Sequence, residues 1–211
     1  MAPFYYVSNW LLRLILLLLT RWRVTGKENV PRQGPFIIVS NHISTTDSPL
    51  IGTAILPRRI VFMAKEELFH FWGTPVIRAY GAFPVRKRQF DRQAIRRAAQ
   101  VLDKGLALGI YPEGTRSVTR QLQAPYLGAA FIALKYHVPI LPVAVIGSER
   151  LMTRRLFRRP AVTVRIGKLI SPTSFDGKVT KDTLESLSRI FMERIAELLP
   201  PAYQGTYGGL T

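Results

Sequence analysis

The chain has 211 residues, 47% of them hydrophobic, no cysteine, and a formal net charge of +17 from 30 Lys and Arg against 13 Asp and Glu. That length suits one domain with a full core, the hydrophobic share argues against disorder, and the missing thiols exclude disulfides, thiolate nucleophiles and cysteine metal sites. So basic a surface seeks polyanions: nucleic acid, anionic phospholipid or an acidic carrier protein.

In chain order, residues 4–20 read first, as a Leu-rich helix without interior Gly or Pro. Ser8, Asn9 and Arg13 interrupt it, and it falls short of the about 20 apolar residues a spanning helix needs. It lacks the basic leader and Ala-x-Ala site of a signal peptide. The reading is a monotopic anchor in the membrane interface, with Tyr5, Tyr6, Trp10 and Trp22 at headgroup depth and Arg21 and Arg23 against anionic lipid. A core helix packed on the body, or a span with Arg13 snorkelling, are the competing readings. Next come a short strand near 23–25, a buried strand at 36–40, a helix at 48–56 and a strand at 59–63. Residues 67–80 mix helix and loop around Gly73 and Pro75. A strand at 82–85 precedes a helix at 91–103, capped by Asp91 and stopped by Gly105. A strand at 107–111, a helix at 126–136, strands at 140–146 and 162–166, a turn-rich 171–180 and a last helix at 180–199 complete the order. Strands alternating with helices predict an α/β fold with a largely parallel or mixed central sheet flanked by helices. Residues 1–22 make the anchoring helix and 23–211 one domain.

Two segments carry chemistry. His42 stands five residues before Asp47 at a strand-to-helix junction, where loops tend to carry function. An imidazole suits base catalysis at neutral pH, and a carboxylate on its far nitrogen fixes the tautomer. The same segment also reads as a structural histidine followed by an N-capping Asp47. Residues 106–117 run from an apolar strand through Tyr111-Pro112 into a tight turn at Glu113-Gly114-Thr115-Arg116. Ligands collect at the carboxyl ends of such strands, so His42 and Glu113 are expected around one crevice. No Gly-x-Ser-x-Gly elbow is present. His70 and His137 read as structural, and no metal-ligand pattern appears.

The His-x4-Asp and Glu-Gly-Thr-Arg blocks stand in order with Ala64-Lys65-Glu66-Glu67-Leu68, Gly81-Ala82-Phe83-Pro84-Val85-Arg86 and Val138-Pro139-Ile140-Leu141-Pro142-Val143-Ala144. Over residues 24–147 this resembles the glycerolipid acyltransferase family, closest to the 1-acylglycerol-3-phosphate O-acyltransferases. The resemblance implies transfer of a fatty acyl group from acyl-CoA or acyl carrier protein to lysophosphatidate, giving phosphatidate. It implies His42 and Asp47 as catalytic residues, direct attack by the substrate hydroxyl, no acyl-enzyme, no metal and no cofactor. Arg116 becomes the phosphate clamp, with Lys65, Arg86 and Ser117 as further phosphate contacts. Gly114 and Thr115 shape the turn. Glu113 pairs with an Arg or binds a glycerol hydroxyl, or else stabilises the turn. Oxyanion donors are expected among backbone amides at 112–114 or after His42. Glycerol-3-phosphate, dihydroxyacetone phosphate and lyso-aminolipids are the alternative acceptors. A membrane-associated enzyme on the cytoplasmic face, bound to anionic lipids, is expected. Composition alone also suits a basic nucleic-acid-binding protein, which leaves the Leu-rich N-terminus unexplained.

Overall fold

Continuous apolar runs set the architecture. Phe36–Ser40 and Ala107–Ile110 are buried at every position, and Ile140–Ile146 at all but the last, the pattern of strands covered by helices on both faces. The computed structural model describes residues 2–70, 77, 80–85, 91–151, 158–172 and 179–208. In it these runs form the middle of a seven-stranded sheet of β1 (Arg21–Thr25), β2 (Phe36–Ser40), β3 (Ile60–Lys65), β4 (Phe83–Val85), β5 (Ala107–Ile110), β6 (Ile140–Ile146) and β7 (Ala161–Ile166). The spatial order is β1-β7-β6-β2-β5-β3-β4. Strand β2 pairs in parallel with β5 and β6, and β3 with β5 and β4. Strand β7 runs antiparallel to β6 and carries β1 parallel to itself at the rim. The sheet is therefore mixed, and the carboxyl ends of β2 to β6 share one edge.

The helices are α1 (Ala2–Leu19), α2 (Asp47–Ala54), α3 (Arg92–Asp103), α4 (Gly128–Tyr136), α5 (Lys181–Leu198) and α6 (Pro201–Gln204). Alternation along β2 divides the core. Phe36 and Ile38 join Leu16 of α1 and Leu50 and Ile51 of α2 on one face. Ile37 and Val39 join Ala98 of α3, Ile132 of α4, and Phe191 and Ile195 of α5 on the other. Each such Leu, Ile or Phe contributes roughly 1.5–3 kcal/mol on burial. These two layers therefore outweigh any single polar contact in holding the sheet.

Local signals match the expected ends in places. Asp91 caps α3, its Oδ1 accepting from the Gln93 and Ala94 amides at 3.0 Å, and Gly105 follows at φ +68°, a backbone that suits glycine. Elsewhere tertiary pairing moves the boundaries. Strand β1 starts at Arg21, not 23, because Arg21 pairs with Ala161. Helix α4 starts at Gly128, and its end is closed by His137 in the left-handed conformation. Most of the expected mixed segment 67–80 lies outside the described residues.

Helix α1 lies against α2 on the first face. Its inner side is polar as well as apolar. Asn9 is 0% exposed; its Oδ1 accepts from Thr53 Oγ1 at 3.0 Å and its Nδ2 donates to the Tyr5 carbonyl at 2.8 Å. The Tyr5 hydroxyl accepts from the Ile60 amide at 3.2 Å. Gly52 leaves the room for this: a Cβ there would stand 3.0 Å from Asn9 Oδ1 and 3.1 Å from the Tyr5 hydroxyl. The outer side exposes Val7, Trp10, Leu11, Leu14 and Leu18, the last two-thirds open at 63%. Among the described residues, no helix is long and apolar enough to cross a membrane.

The buried Asn9–Thr53 pair makes a prediction. Asn9→Ala leaves the Thr53 hydroxyl without an acceptor and is expected to cost about 1–3 kcal/mol. Denaturant unfolding in detergent should show a lower midpoint at unchanged slope. Adding Thr53→Val should recover part of the loss.

Candidate active site

Strand β2 ends at Ser40, and a side chain then continues its pairing. Asn41 Nδ2 donates to the Val145 carbonyl at 2.9 Å, and the Val145 amide donates to Asn41 Oδ1 at 2.8 Å. The main chain is thereby released to turn, and His42 leaves the sheet at its carboxyl edge. His42 Nδ1 stands 2.9 Å from Asp47 Oδ2, with the imidazole 19% exposed and the carboxylate 0%. The same Oδ2 accepts from the Ile43 and Ser44 amides, both at 2.8 Å. Asp47 Oδ1 accepts from Ser148 Oγ, which arrives from the turn after β6. The N-cap of α2 is Thr46, without a side-chain cap bond. Asp47 therefore binds the preceding turn and the imidazole rather than the end of the helix. An ionised carboxylate can only accept, so Nδ1 carries the ring proton and Nε2 the lone pair.

Beside it, β5 supplies an aromatic tier. Gly109 has no side chain because the Phe62 ring occupies that place; a Cβ would fall 2.3 Å from it. Phe62 stacks on Tyr111, centroids 5.7 Å apart, and Tyr111 stacks on His42 at 3.9 Å and 13°. The Tyr111 hydroxyl shares a 2.9 Å hydrogen bond with Ser48 Oγ. Burial first, and then the Asp47 charge, hold this phenol well above its ordinary value; the Ser48 bond works the other way. Ser48, expected only to start a helix, thus fixes the ring that lies on the imidazole.

The next turn grips the main chain of His42 from both sides. Glu113 Oε1 accepts from the His42 amide at 3.1 Å, and the Ser117 amide donates to the His42 carbonyl at 2.7 Å. Glu113 Oε2 accepts from the Gln123 amide at 3.1 Å, so backbone donors hold both oxygens of a carboxylate only 3% exposed. Gly114 sits at φ +64° and its amide donates to the Tyr111 carbonyl at 3.0 Å, a tight turn suited to glycine. Thr115 is half-buried and Arg116 exposed. Ser117 is buried, its hydroxyl 3.2 Å from Thr119 Oγ1. Arg116 and Ser117 share with Ile43, Arg120 and Glu149 an open cavity of about 470 Å³. Lys65 ends β3 on the same sheet edge, exposed. Arg86 lies outside the described residues, as does the side chain of His70. The amides of His42, Ile43, Ser44 and Gly114 are occupied, which removes most of the expected oxyanion donors.

The site also contains residues that no local pattern marked. Asn41 stands just before the His-x4-Asp block and Tyr111 just before the Glu-Gly-Thr-Arg turn, and neither pattern gives it a part. Ser148 stands 101 positions from Asp47, and only the fold joins them. Glu149 accepts from the Tyr203 hydroxyl at 3.1 Å and pairs loosely with Arg120 and Arg150. It ties the C-terminal segment to the Arg116 cavity.

Burial pushes the Glu113 carboxyl up from 4.5 to about 7; the His42 and Gln123 amides pull it down, and the Asp47 charge adds to the rise. The folded state thus holds this proton more tightly than the unfolded chain. Its contribution is intact below the ordinary value of 4.5, is lost as pH climbs from there to about 7, and stays lost above. At about 1.4 kcal/mol per pH unit the loss is on the order of 3 kcal/mol. Glu113→Gln should remove that slope, leaving a constant offset, in unfolding curves taken at about pH 5 and about pH 8.

Known proteins resemble this chain over most of its length. An Acyltransferase family model matches residues 21–146. A Bacillus subtilis relative named 1-acyl-sn-glycerol-3-phosphate acyltransferase is 31% identical over 188 residues, covering 89% of this chain and 92% of that one. A Pseudomonas aeruginosa relative named lyso-ornithine lipid O-acyltransferase is 34% identical over 137 residues, covering 64% of this chain and 51% of that one. The crystal structure of the 1-acyl-sn-glycerophosphate acyltransferase PlsC from Thermotoga maritima superposes with a TM-score of 0.68 at 30% identity, covering 88% of this chain and 75% of that one. A paired imidazole and carboxylate at the end of β2, a glycine turn bearing an arginine at the end of β5, and a match across most of the sheet have one common explanation: the chain belongs to the Acyltransferase family.

Proposed function

We propose that this enzyme works at a membrane surface, moving a fatty acyl group from acyl-CoA or acyl carrier protein to the free hydroxyl of 1-acylglycerol-3-phosphate and releasing phosphatidate. The observation that carries this reading is the His42–Asp47 pair standing one hydrogen bond from the Glu113–Ser117 turn that bears Arg116. The Bacillus and Thermotoga relatives, both named for that acceptor, support it. The acceptor hydroxyl gives its proton to His42 Nε2 as its oxygen bonds to the thioester carbonyl carbon. The carbonyl oxygen takes the negative charge. On collapse the C–S bond breaks, and the imidazolium returns the proton to the leaving sulfur. Asp47 steadies the imidazolium between the two transfers.

No acyl-enzyme enters this sequence. The chain has no cysteine, and the hydroxyls around the dyad are engaged: Ser44 with Thr46, Ser48 with Tyr111, Ser148 with Asp47. Arg116 offers forked donors to the acceptor phosphate, with Lys65, Arg86 and Ser117 as further contacts. Glycerol-3-phosphate remains an alternative acceptor, as does a lyso-aminolipid, which the Pseudomonas relative supports. The outer face of α1 suits a monotopic seat in the cytoplasmic leaflet. Arg21 and Arg23 are exposed just beyond it, and Arg159 donates to the Leu17 carbonyl at 3.2 Å. These cations would meet anionic lipid.

An assay in detergent with lysophosphatidate and each donor tests the chemistry. His42→Ala should lose roughly 10²–10⁴-fold in kcat, and Arg116→Ala should raise the acceptor KM about tenfold or more. Full-rate transfer by His42→Ala sinks the base assignment; an unaltered acceptor KM and rate in Arg116→Ala sinks the clamp. Flotation with anionic vesicles tests the seat. Leu14→Glu with Leu18→Glu, both on the outer face, should leave the protein unbound while its detergent activity survives.

A further inference from the structure

Asp47 is held by two different sets of donors. Oδ2 takes the imidazole and two amides of its own turn. Oδ1 takes only Ser148 among the described partners. Both residues are 0% exposed, so bulk solvent reaches neither. Ser148 is delivered by a rigid turn. Gly147 precedes it at φ +82°, and a Cβ on Gly147 would fall 2.2 Å from the Ala161 carbonyl of β7. The Leu151 amide then donates back to the Ser148 carbonyl at 3.1 Å.

We propose that Ser148 is a positioning residue of the His42–Asp47 dyad, acting through the carboxylate oxygen that the imidazole does not use. Strand β6 and the turn after it hold both halves of the pair. Val145 clasps Asn41, next to His42, through two hydrogen bonds. Three residues later Ser148 clasps Asp47. The distance between base and carboxylate is therefore measured off against one short stretch of main chain. Donation by Ser148 orients the carboxylate plane, which aims Oδ2 at Nδ1. It also draws charge towards Oδ1, which moderates how tightly Asp47 holds the imidazolium proton. The serine itself is no nucleophile, because its hydroxyl is buried and already donating to a carboxylate.

The inference rests on His42 being the base. The test therefore compares Ser148→Ala, Ser148→Thr and His42→Ala with the parent, using lysophosphatidate, acyl-CoA, a pH series and a thermal melt. Ser148→Ala is expected to lose roughly 10- to 100-fold in kcat, the rate equivalent of one hydrogen bond to a charged group. The acceptor KM should hold, since Ser148 does not reach the acceptor. The acid limb of the kcat profile should move to higher pH, because a carboxylate short of one donor grips the ring proton harder. Ser148→Thr keeps the hydroxyl and should restore both rate and profile. Parental kcat and acid limb in Ser148→Ala overturn the proposal. So does an equal loss in both Ser148 variants with an unmoved profile and a lower melt, which marks a packing role. If His42→Ala is also fully active, the dyad reading itself has failed; if it is dead while Ser148→Ala is normal, only the part given to Ser148 has.

Discussion

The Asp47 carboxylate sits where no bulk solvent reaches it, and this edge of the sheet is arranged around that fact. Burying an unpaired carboxylate costs several kcal/mol. Asp47 is tolerable because four donors converge on it: an imidazole, two amides and a hydroxyl. Those donors come from the turn after β2 and the turn after β6, neighbours in the sheet. The parallel pairing of β2 with β6 is thus a precondition for the charge, and the charge is a precondition for a directed imidazole. The pairing of β2 with β5 adds the second constraint, since it brings Glu113 and Ser117 to the main chain of His42.

Much of this was legible from residue order, for reasons that differ by element. Buried strands announce themselves as unbroken apolar runs, and β2, β5 and β6 are such runs. Asp91 acts through a side chain that reaches amides two and three residues on, and Gly105 through its own backbone, so their effect is written locally. Strand β1 is different. Its alternating exposed pattern and arginines are ordinary for a rim, and its true start depends on Ala161, 140 residues away in register. Information of that kind is absent from any short window.

The site divides along the same line. The His42–Asp47 spacing and the Glu113–Arg116 turn are local, and two adjacent parallel strands sufficed to bring them together. Glu113 illustrates what locality misses: a turn-stabilising carboxylate is one of its sequence readings, but that its oxygens accept the amides of His42 and Gln123, 71 and 10 positions away, is visible only in the fold. Tyr111 reads as the last apolar residue of a strand, and only Gly109 together with Phe62 turns it into a plate beneath the imidazole. Ser148 carries no local mark at all. Contacts made across the sheet are the part that a linear pattern cannot hold.

The seam between α1 and α2 has a mechanical meaning. Asn9 and Thr53 lock a helix with a greasy outer flank onto the helix whose first residue is Asp47. If that flank rests among acyl tails as proposed, immersion depth and imidazole height become one variable. Acceptors would then be graded by how far their hydroxyl rides from the hydrocarbon boundary, a ruler supplied by the bilayer and read by a rigid protein standing in it.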